Sequence, residues 1–598
     1  MQVLRVIAVA AVVFFMASRA RATTYYVSAA GSDSNAGTSE VAAWQTITKV
    51  NAANLVGGDH VLFRRGDTFE GTLTPHNSGT TGNPITFDAY GSGDAPIVSA
   101  LTTLSGWTSV GANLYEATLP GARDALMVVV IDGATQQIGR YPRATADNGG
   151  YLTFESHTGA TRVSDVDLGG LPSFVGGQIV LRVNHWVIDR GVVTAQTASS
   201  VDFTAPVNTS SYEFENGYGY FFQNHIATLT AQGDWAYDAA RHVVTIYSTA
   251  PPVGVRASVR DSALYVVSLH DLQFQNLAFE GGSTRTINVS NGSNIGVADC
   301  EVAFSGTHGV YFSGTTSVTF ERNHVHDSLS NGAQFSGGSA SGIIARSNLI
   351  VDSGIRPGMG DATLATTHVG LLVNIGRDAT VEYNTVRNSG YNGLSFDGDD
   401  IRIRNNIVDR FGSVKDDCGG IYSWHGSVPL TLNTGRVIDG NIVFNGITAP
   451  AGTAEGVSGG SASGIYMDFY AGGVAITNNT VYSVPYGRGI ILNNSRNVTI
   501  TGNTLYGAET GIAMTHWLFS EGPLLSGIVI QDNVIFPTDS SGKILRYFDW
   551  GLDVPMTATL VDRLHGLGTI NEKFLRLAQC DAILYALLSG EHRPGSAA

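Results

Sequence analysis

Charge is scarce in this 598-residue chain. Asp, Glu, Lys and Arg together make up 14% of it, and the net charge is −16. No basic stripe exists to neutralise phosphates, which argues against a nucleic-acid partner. A neutral sugar meets no such objection, whereas a polyanionic one would need bridging cations. Cysteine is also sparse, with three in the chain. That excludes a disulfide framework, and neither Cys-x-x-Cys nor a His-rich metal spacing is present. The residues therefore call for no cofactor. Long apolar runs are missing apart from Val6–Ala17, which follows Arg5 and precedes the small-x-small triplet Ala20-Arg21-Ala22. Twelve residues are too few to span a bilayer. The segment reads as a secretory signal, 1–22, with the mature chain starting near Thr23. The expected location is secreted or periplasmic, with no membrane attachment after cleavage.

Gly is abundant, at 73 residues, and the second half of the chain repeats itself. Ten segments carry an Asn (once a Cys) followed by an alternating apolar pair, at Asn276, Cys300, Asn323, Asn348, Asn384, Asn406, Asn441, Asn479, Asn503 and Asn533. The steps are 24, 23, 25, 36, 22, 35, 38, 24 and 30 residues. A floor of 22–25 with longer steps where loops intervene marks a solenoid, whose coils bury their apolar faces only by stacking. Asn suits a turn, because it tolerates left-handed backbone and its amide can bond its own copy one coil away. Between the Asn positions runs a second repeat, a Gly followed by alternating residues, at Gly309, Gly332, Gly370, Gly393, Gly420, Gly464, Gly489 and Gly511. Gly at a corner followed by a short strand gives each coil at least two strands. The combination predicts an all-β, right-handed parallel β-helix.

The rest of the chain divides around that solenoid. Residues 23–130 read as an N-terminal cap and first coils, with Trp44–Ala53 as a short amphipathic helix closing the open end. Residues 131–250 hold aromatic-rich alternating strands such as IVLRVNHWVID and read as an inserted antiparallel β domain. Residues 251–537 are the main β-helix. Residues 538–598 form an atypical tail, with NEKFLRLAQCDAILYALL as a possible helical cap.

Side chains at equivalent points of stacked coils form files about 4.8 Å apart. The residue four after each Gly gives the file Ser313, Ser336, Asn374, Asp397, Trp424, Asp468, Asn493 and Thr515. Asp397 and Asp468 would stand two coils apart, roughly 9–10 Å. The coil between them is KDDCGGIYSWHG, with Asp416, Asp417, Tyr422, Trp424 and His425; Tyr391 and Asp399 lie nearby and Tyr466 precedes Asp468. Several carboxylates beside aromatics and a His suit glycosidic cleavage, which needs one acid and one carboxylate nucleophile or base. Repulsion between two carboxylates can keep one protonated. Each Asp beside a Gly also suits a plain turn, and Trp424 or His425 can equally be packing or surface groups. The long insertions before Gly370, Gly420 and Gly464 favour a walled binding face.

The chain resembles the secreted bacterial right-handed β-helix carbohydrate-active enzymes, in particular the β-xylosidase and fucosidase/xylanase groups of β-helix glycoside hydrolases. The resemblance is carried by the opening YYVSAAGSDSNAGT with AWQTITKVNAANLVGGDHVLFRRGDTFEG, by IGRYP at Ile138–Pro142, by QNHIATLTAQGDWAYD at Gln223–Asp238, and by DDCGGIYSW and GIYMD. It spans most of residues 24–536. It implies Asp417 and Asp468 as the acidic pair. The position of the other residues around that pair makes Asp397 the expected helper or substitute, and Trp424, His425, Tyr391, Asp416, Tyr422 and Tyr466 the expected substrate-binding residues. The chain departs from the family's pattern at Cys418, where Gly is expected. The implied function is hydrolysis of a plant or algal polysaccharide by a monomer without a cofactor. A polysaccharide lyase of the same fold, with Lys415 as base and Ca as a possible cation, stays open. So does a non-catalytic carbohydrate-binding or adhesion solenoid.

Overall fold

The computed structural model describes residues 22–210, 214–361, 366–426, 432–454, 461–516, 525–538 and 543–549. Residues 1–21 of the expected signal and the tail stretch expected as a helical cap lie outside the described residues, as does Cys580. A 31-stranded parallel assembly forms the solenoid. Its coils contribute to three sheets. The first holds the Gly-led strands, for example Cys418–Trp424 and Ala462–Asp468. The second includes Arg436–Asp439 and Val474–Thr477. The third holds the strands that follow the Asn positions, for example Glu301–Ser305 and His324–Ser328. The winding takes the right hand that parallel crossovers take.

Register explains why the apolar alternation works. One inward file runs Leu264, Ile287, Val310, Ala333, Leu371, Leu394, Ile421, Ile465, Ile490, Ile512 and Leu545, each paired with the next. Ile421, Ile465 and Ile490 are fully buried, and each such side chain contributes about 1.5–3 kcal/mol. The file ends in the strand Lys543–Asp549, so the stack continues past Pro537.

The Asn ladder exists, with one refinement. Each rung amide donates to the next, as in Asn384 Nδ2 to Asn406 Oδ1 (2.9 Å) and Asn406 Nδ2 to Asn441 Oδ1 (3.0 Å). The same Oδ1 atoms accept the backbone N–H of the preceding rung, as Asn441 does from Asn406 (2.9 Å). The left-handed residue of the corner is not the Asn but its predecessor: Arg322, Ser347, Tyr383, Asn405 and Asn478 have φ of 53–58°. Asn276 falls on this corner position, with φ 57°, and donates to Asp88. The buried Leu277 precedes Ala278, the register partner of Glu301, and so stands at its coil's rung. The repeated Gly residues are required by crowding. A Cβ on Gly420 would lie 2.2 Å from Val443 Cγ1 of the third sheet.

At the N-terminal end the helix is shorter than expected, Ile47–Asn51. Trp44 bridges Val27 and stacks on Tyr25 at 4.6 Å, and the Thr46 hydroxyl caps the helix by accepting from Lys49 N. Ile47 and Val50 close the core. The chain leaves the solenoid after Ile97–Ser99 and returns at Leu264–Val267. The coils on either side stay paired, because Ile97–Ser99 lies parallel to Ala278–Glu280. Between them, antiparallel strands run from Leu101 to Ser258, beyond both ends of the segment read from the sequence, and form two four-stranded sheets and one of eight. The motifs IGRYP and GDW are packing elements here. Arg140 lies 3.6 Å from the Phe221 ring centre, and Trp235 is fully buried with its indole N–H on Gln136 O.

Candidate active site

The inserted sheets are fastened to the solenoid at the middle acidic coil. Asp416 is buried completely and pairs with Arg182 (3.1 Å) and His185 (2.5 Å), both from the insert. Arg182 also donates to the carbonyls of Ala449 and Ala451 at 2.7 Å, which ties down the loop before Gly464. Burial alone would lower the His185 imidazole, but Asp416 raises it. Asp416 therefore holds the domains together and does not line a binding surface.

The next residue does. Asp417 sits at φ 56°, a left-handed conformation that Asp tolerates and that recurs at functional positions. It lines a cavity of about 490 Å³ together with Asp468, Tyr391, Tyr422, Trp424 and Tyr466. The register explains the convergence: Tyr422 pairs with Tyr466, and Trp424 with Asp468, on adjacent strands. Tyr422 and Tyr466 meet edge to face at 5.3 Å. Trp424 is 47% exposed and stands at the rim.

The two cavity carboxyls differ in surroundings. Asp468 accepts hydrogen bonds from Tyr422 Oη (2.7 Å), Asn493 Nδ2 (2.8 Å) and Phe469 N (2.8 Å). Burial pushes its pKa up, and these donors pull against that rise. Asp417 is pushed up by burial and then by the negative charges of Asp468 and Asp416, with His185 and Arg488 opposing. Desolvation and like charge favour the neutral acid, while donated hydrogen bonds favour the carboxylate. The arrangement can thus hold one proton on Asp417 and a negative charge on Asp468.

Other expected residues fall elsewhere. Asp397 does not line the cavity. It binds Asn433 Nδ2 (2.6 Å) and His425 Nδ1 (3.2 Å), with Arg436 at 3.7 Å, so Asp397 and His425 satisfy one another beside the site. Asp399 accepts from Thr434 N. Lys415 is not a surface residue: it is buried, with Nζ 4.6 Å from the Tyr391 ring centre and a pKa lowered by burial to about 7. It is absent from the cavity lining. Cys418 is a free, buried thiol.

Among the lining residues not assigned a role from the sequence are Trp186 and Asn493. Trp186 reaches the cavity from the insert, and no local pattern marks it among that segment's many aromatics. Asn493 stands in the file four after Gly and could have been read as a donor to its neighbour Asp468. Among the described residues, no metal-ligating cluster of His, Cys, Asp and Glu lies at this cavity.

Residues 245–363, 285–454 and 366–544 match the family described as a right handed beta helix region. Over 86 residues, 13% of this chain, the sequence is 48% identical to a lacto-N-biosidase of Bifidobacterium longum subsp. longum, and the match spans 5% of that relative's length. A solved structure described as a glycoside hydrolase superposes with a TM-score of 0.56 at 12% identity, covering 89% of this chain and 98% of the other. A complex of XylC with xylose aligns over 86% of each chain at 12% identity, with a TM-score of 0.46.

Proposed function

We propose that this chain, which belongs to the right-handed β-helix family, is a secreted glycoside hydrolase using Asp417 as general acid and Asp468 as the ionised carboxylate. The observation that carries this reading is the shared cavity: a half-buried carboxyl, Asp417, and a buried one, Asp468, in opposite electrostatic settings, walled by Trp186, Tyr391, Tyr422, Trp424, Tyr466 and Phe469. Aromatic faces suit the C–H faces of sugar rings. Asp417 would protonate the departing glycosidic oxygen. Asp468 would attack the anomeric carbon or activate a water against it. Tyr422 and Asn493 would keep Asp468 oriented and charged.

The match to a lacto-N-biosidase supports a carbohydrate substrate. A cavity of about 490 Å³ falls in the size range of small-molecule pockets and suits a short oligosaccharide or chain end, of plant or algal origin in the first instance. The reaction needs no cofactor, and a monomer contains every residue invoked. The test is a panel of oligosaccharides and polysaccharides. New reducing ends without ultraviolet absorbance support hydrolysis. Absorbance of an unsaturated product would replace this reading with a lyase, and binding without turnover would replace it with a binding solenoid.

A further inference from the structure

The third sheet carries an unassigned cluster of ligating side chains. Glu301, His324 and His326 present donor atoms that all lie within 4.8 Å of one another. Glu301 opens one strand and His324 opens the next, and the two are direct register partners; His326 pairs with Ala303. His324 and His326 are two apart on one strand, so both rings leave the same face, and they stack at 4.6 Å between centres. Neither Cys-x-x-Cys nor a His-rich spacing marks this cluster in the sequence. A His-x-His pair on a strand is a metal spacing once the neighbouring coil supplies the third donor.

The surroundings are those of a ligand site. His326 is held between two carboxylates, with Nδ1 2.9 Å from Asp327 Oδ2 and Nε2 3.0 Å from Glu301 Oε1. A carboxylate on the far nitrogen of a ligating His fixes ring orientation and raises ligand basicity. Here Asp327 has that place, and the Phe304 ring packs edge-on against His326 at 5.8 Å. A neutral imidazole can donate to one carboxylate only, so the contact between Nε2 and Glu301 needs a proton or a metal ion between the two atoms. Without metal it is a proton. Tetrahedral bonds of about 2.0–2.1 Å place ligand atoms about 3.3 Å apart, close to the observed separation of His326 Nε2 and Glu301 Oε1.

We infer that Glu301, His324 and His326 bind a divalent transition ion of the zinc class, with water completing the shell and Asp327 orienting His326. Two imidazoles and one carboxylate suit zinc rather than calcium or magnesium, which prefer all-oxygen shells. The ion would clamp two neighbouring coils on a sheet remote in chain position from the acidic cavity. It would replace the proton on His326, so binding should release protons.

The test uses tag-free full-length protein, stripped with chelator and titrated with zinc chloride by calorimetry in two buffers of different ionisation enthalpy at pH 7.5. The expected result is one site per chain, a heat that changes with buffer, and a higher melting temperature with zinc. His324→Gln and His326→Gln should each lose the site. Asp327→Asn should weaken it about 10–100-fold while melting normally without metal. Absence of a one-to-one site in the parent overturns the inference. Affinity unchanged in both His variants, or in Asp327→Asn should the His variants fail to fold, overturns it too. The cluster does not touch the proposed catalytic groups, so this outcome is independent of the sugar assays.

Discussion

Arg182 and Asp416 form a buried ion pair, 3.1 Å apart with side chains 1% and 0% exposed, that joins the inserted sheets to the coil bearing Asp417. Removing one partner of such a pair leaves the other charged and buried, at a cost of about 3–5 kcal/mol. Arg182→Met is expected to lose that much in urea unfolding and to lower kcat/KM, because Trp186 and Asp417 would shift. The double variant Arg182→Met/Asp416→Leu should recover most of the stability. Equal stability of parent and single variant would show that the pair does not hold the domains.

The acid and the carboxylate can be told apart by leaving group. With natural glycosides, Asp417→Asn and Asp468→Asn should each lower kcat by about 10²–10⁴-fold or more. An aryl glycoside with an acidic phenol needs little protonation. It should restore much of the first step in Asp417→Asn and none of it in Asp468→Asn. The reverse pattern would exchange the two roles.

Stability should respond to pH through Asp417. An unfolded Asp releases its proton near 3.8, and the folded residue does so at higher pH. Between those two values the native state holds the extra proton, so stability falls as pH rises. Asp417→Asn removes that burden and is expected to melt above the parent at pH 8, with the difference shrinking toward pH 4. The parent's kcat/KM should fall on the alkaline side as the pair loses its shared proton. Identical melting of parent and variant at both pH values would contradict the proton-holding assignment of Asp417.

The corrected ladder position separates two Asn residues that look alike in sequence. Asn441→Ala removes the acceptor for Asn406 N and the amide that donates to Asn479 Oδ1 and Ile403 O. Leaving such groups unsatisfied should cost about 3 kcal/mol. Asn276→Gly keeps the left-handed corner that Gly adopts freely and should cost about 1 kcal/mol or less. Equal losses in the two variants would reject the distinction.

Trp186 is the insert's contribution to the cavity. Trp186→Ala should raise KM by roughly two- to tenfold, the size of one aromatic contact, with a smaller change in kcat. An unchanged KM would remove it from the substrate path.

The fold was legible because it repeats. An inward residue must be apolar in every coil, and a rung must pass its hydrogen bond to the next, so each requirement is written many times along the chain. The pairing of Trp424 with Asp468 follows from that register, which is why most of the aromatic lining could be read from spacing. Adjacent Asp residues gave no such guide: Asp416 and Asp417 look the same, and only the docking of Arg182 and His185 turns one into a fastener and leaves the other in the cavity. Asp397 satisfied the repeat's arithmetic and was diverted by Asn433 and His425, side chains from loops that follow no repeat.

The chain by itself determined the stacked coils, because burial and hydrogen bonding between like residues act at a fixed period. Only the tertiary structure decided which carboxyls share water-poor space, because that depends on side chains brought from Trp186 and Arg182, more than two hundred residues away, by a domain that obeys no period.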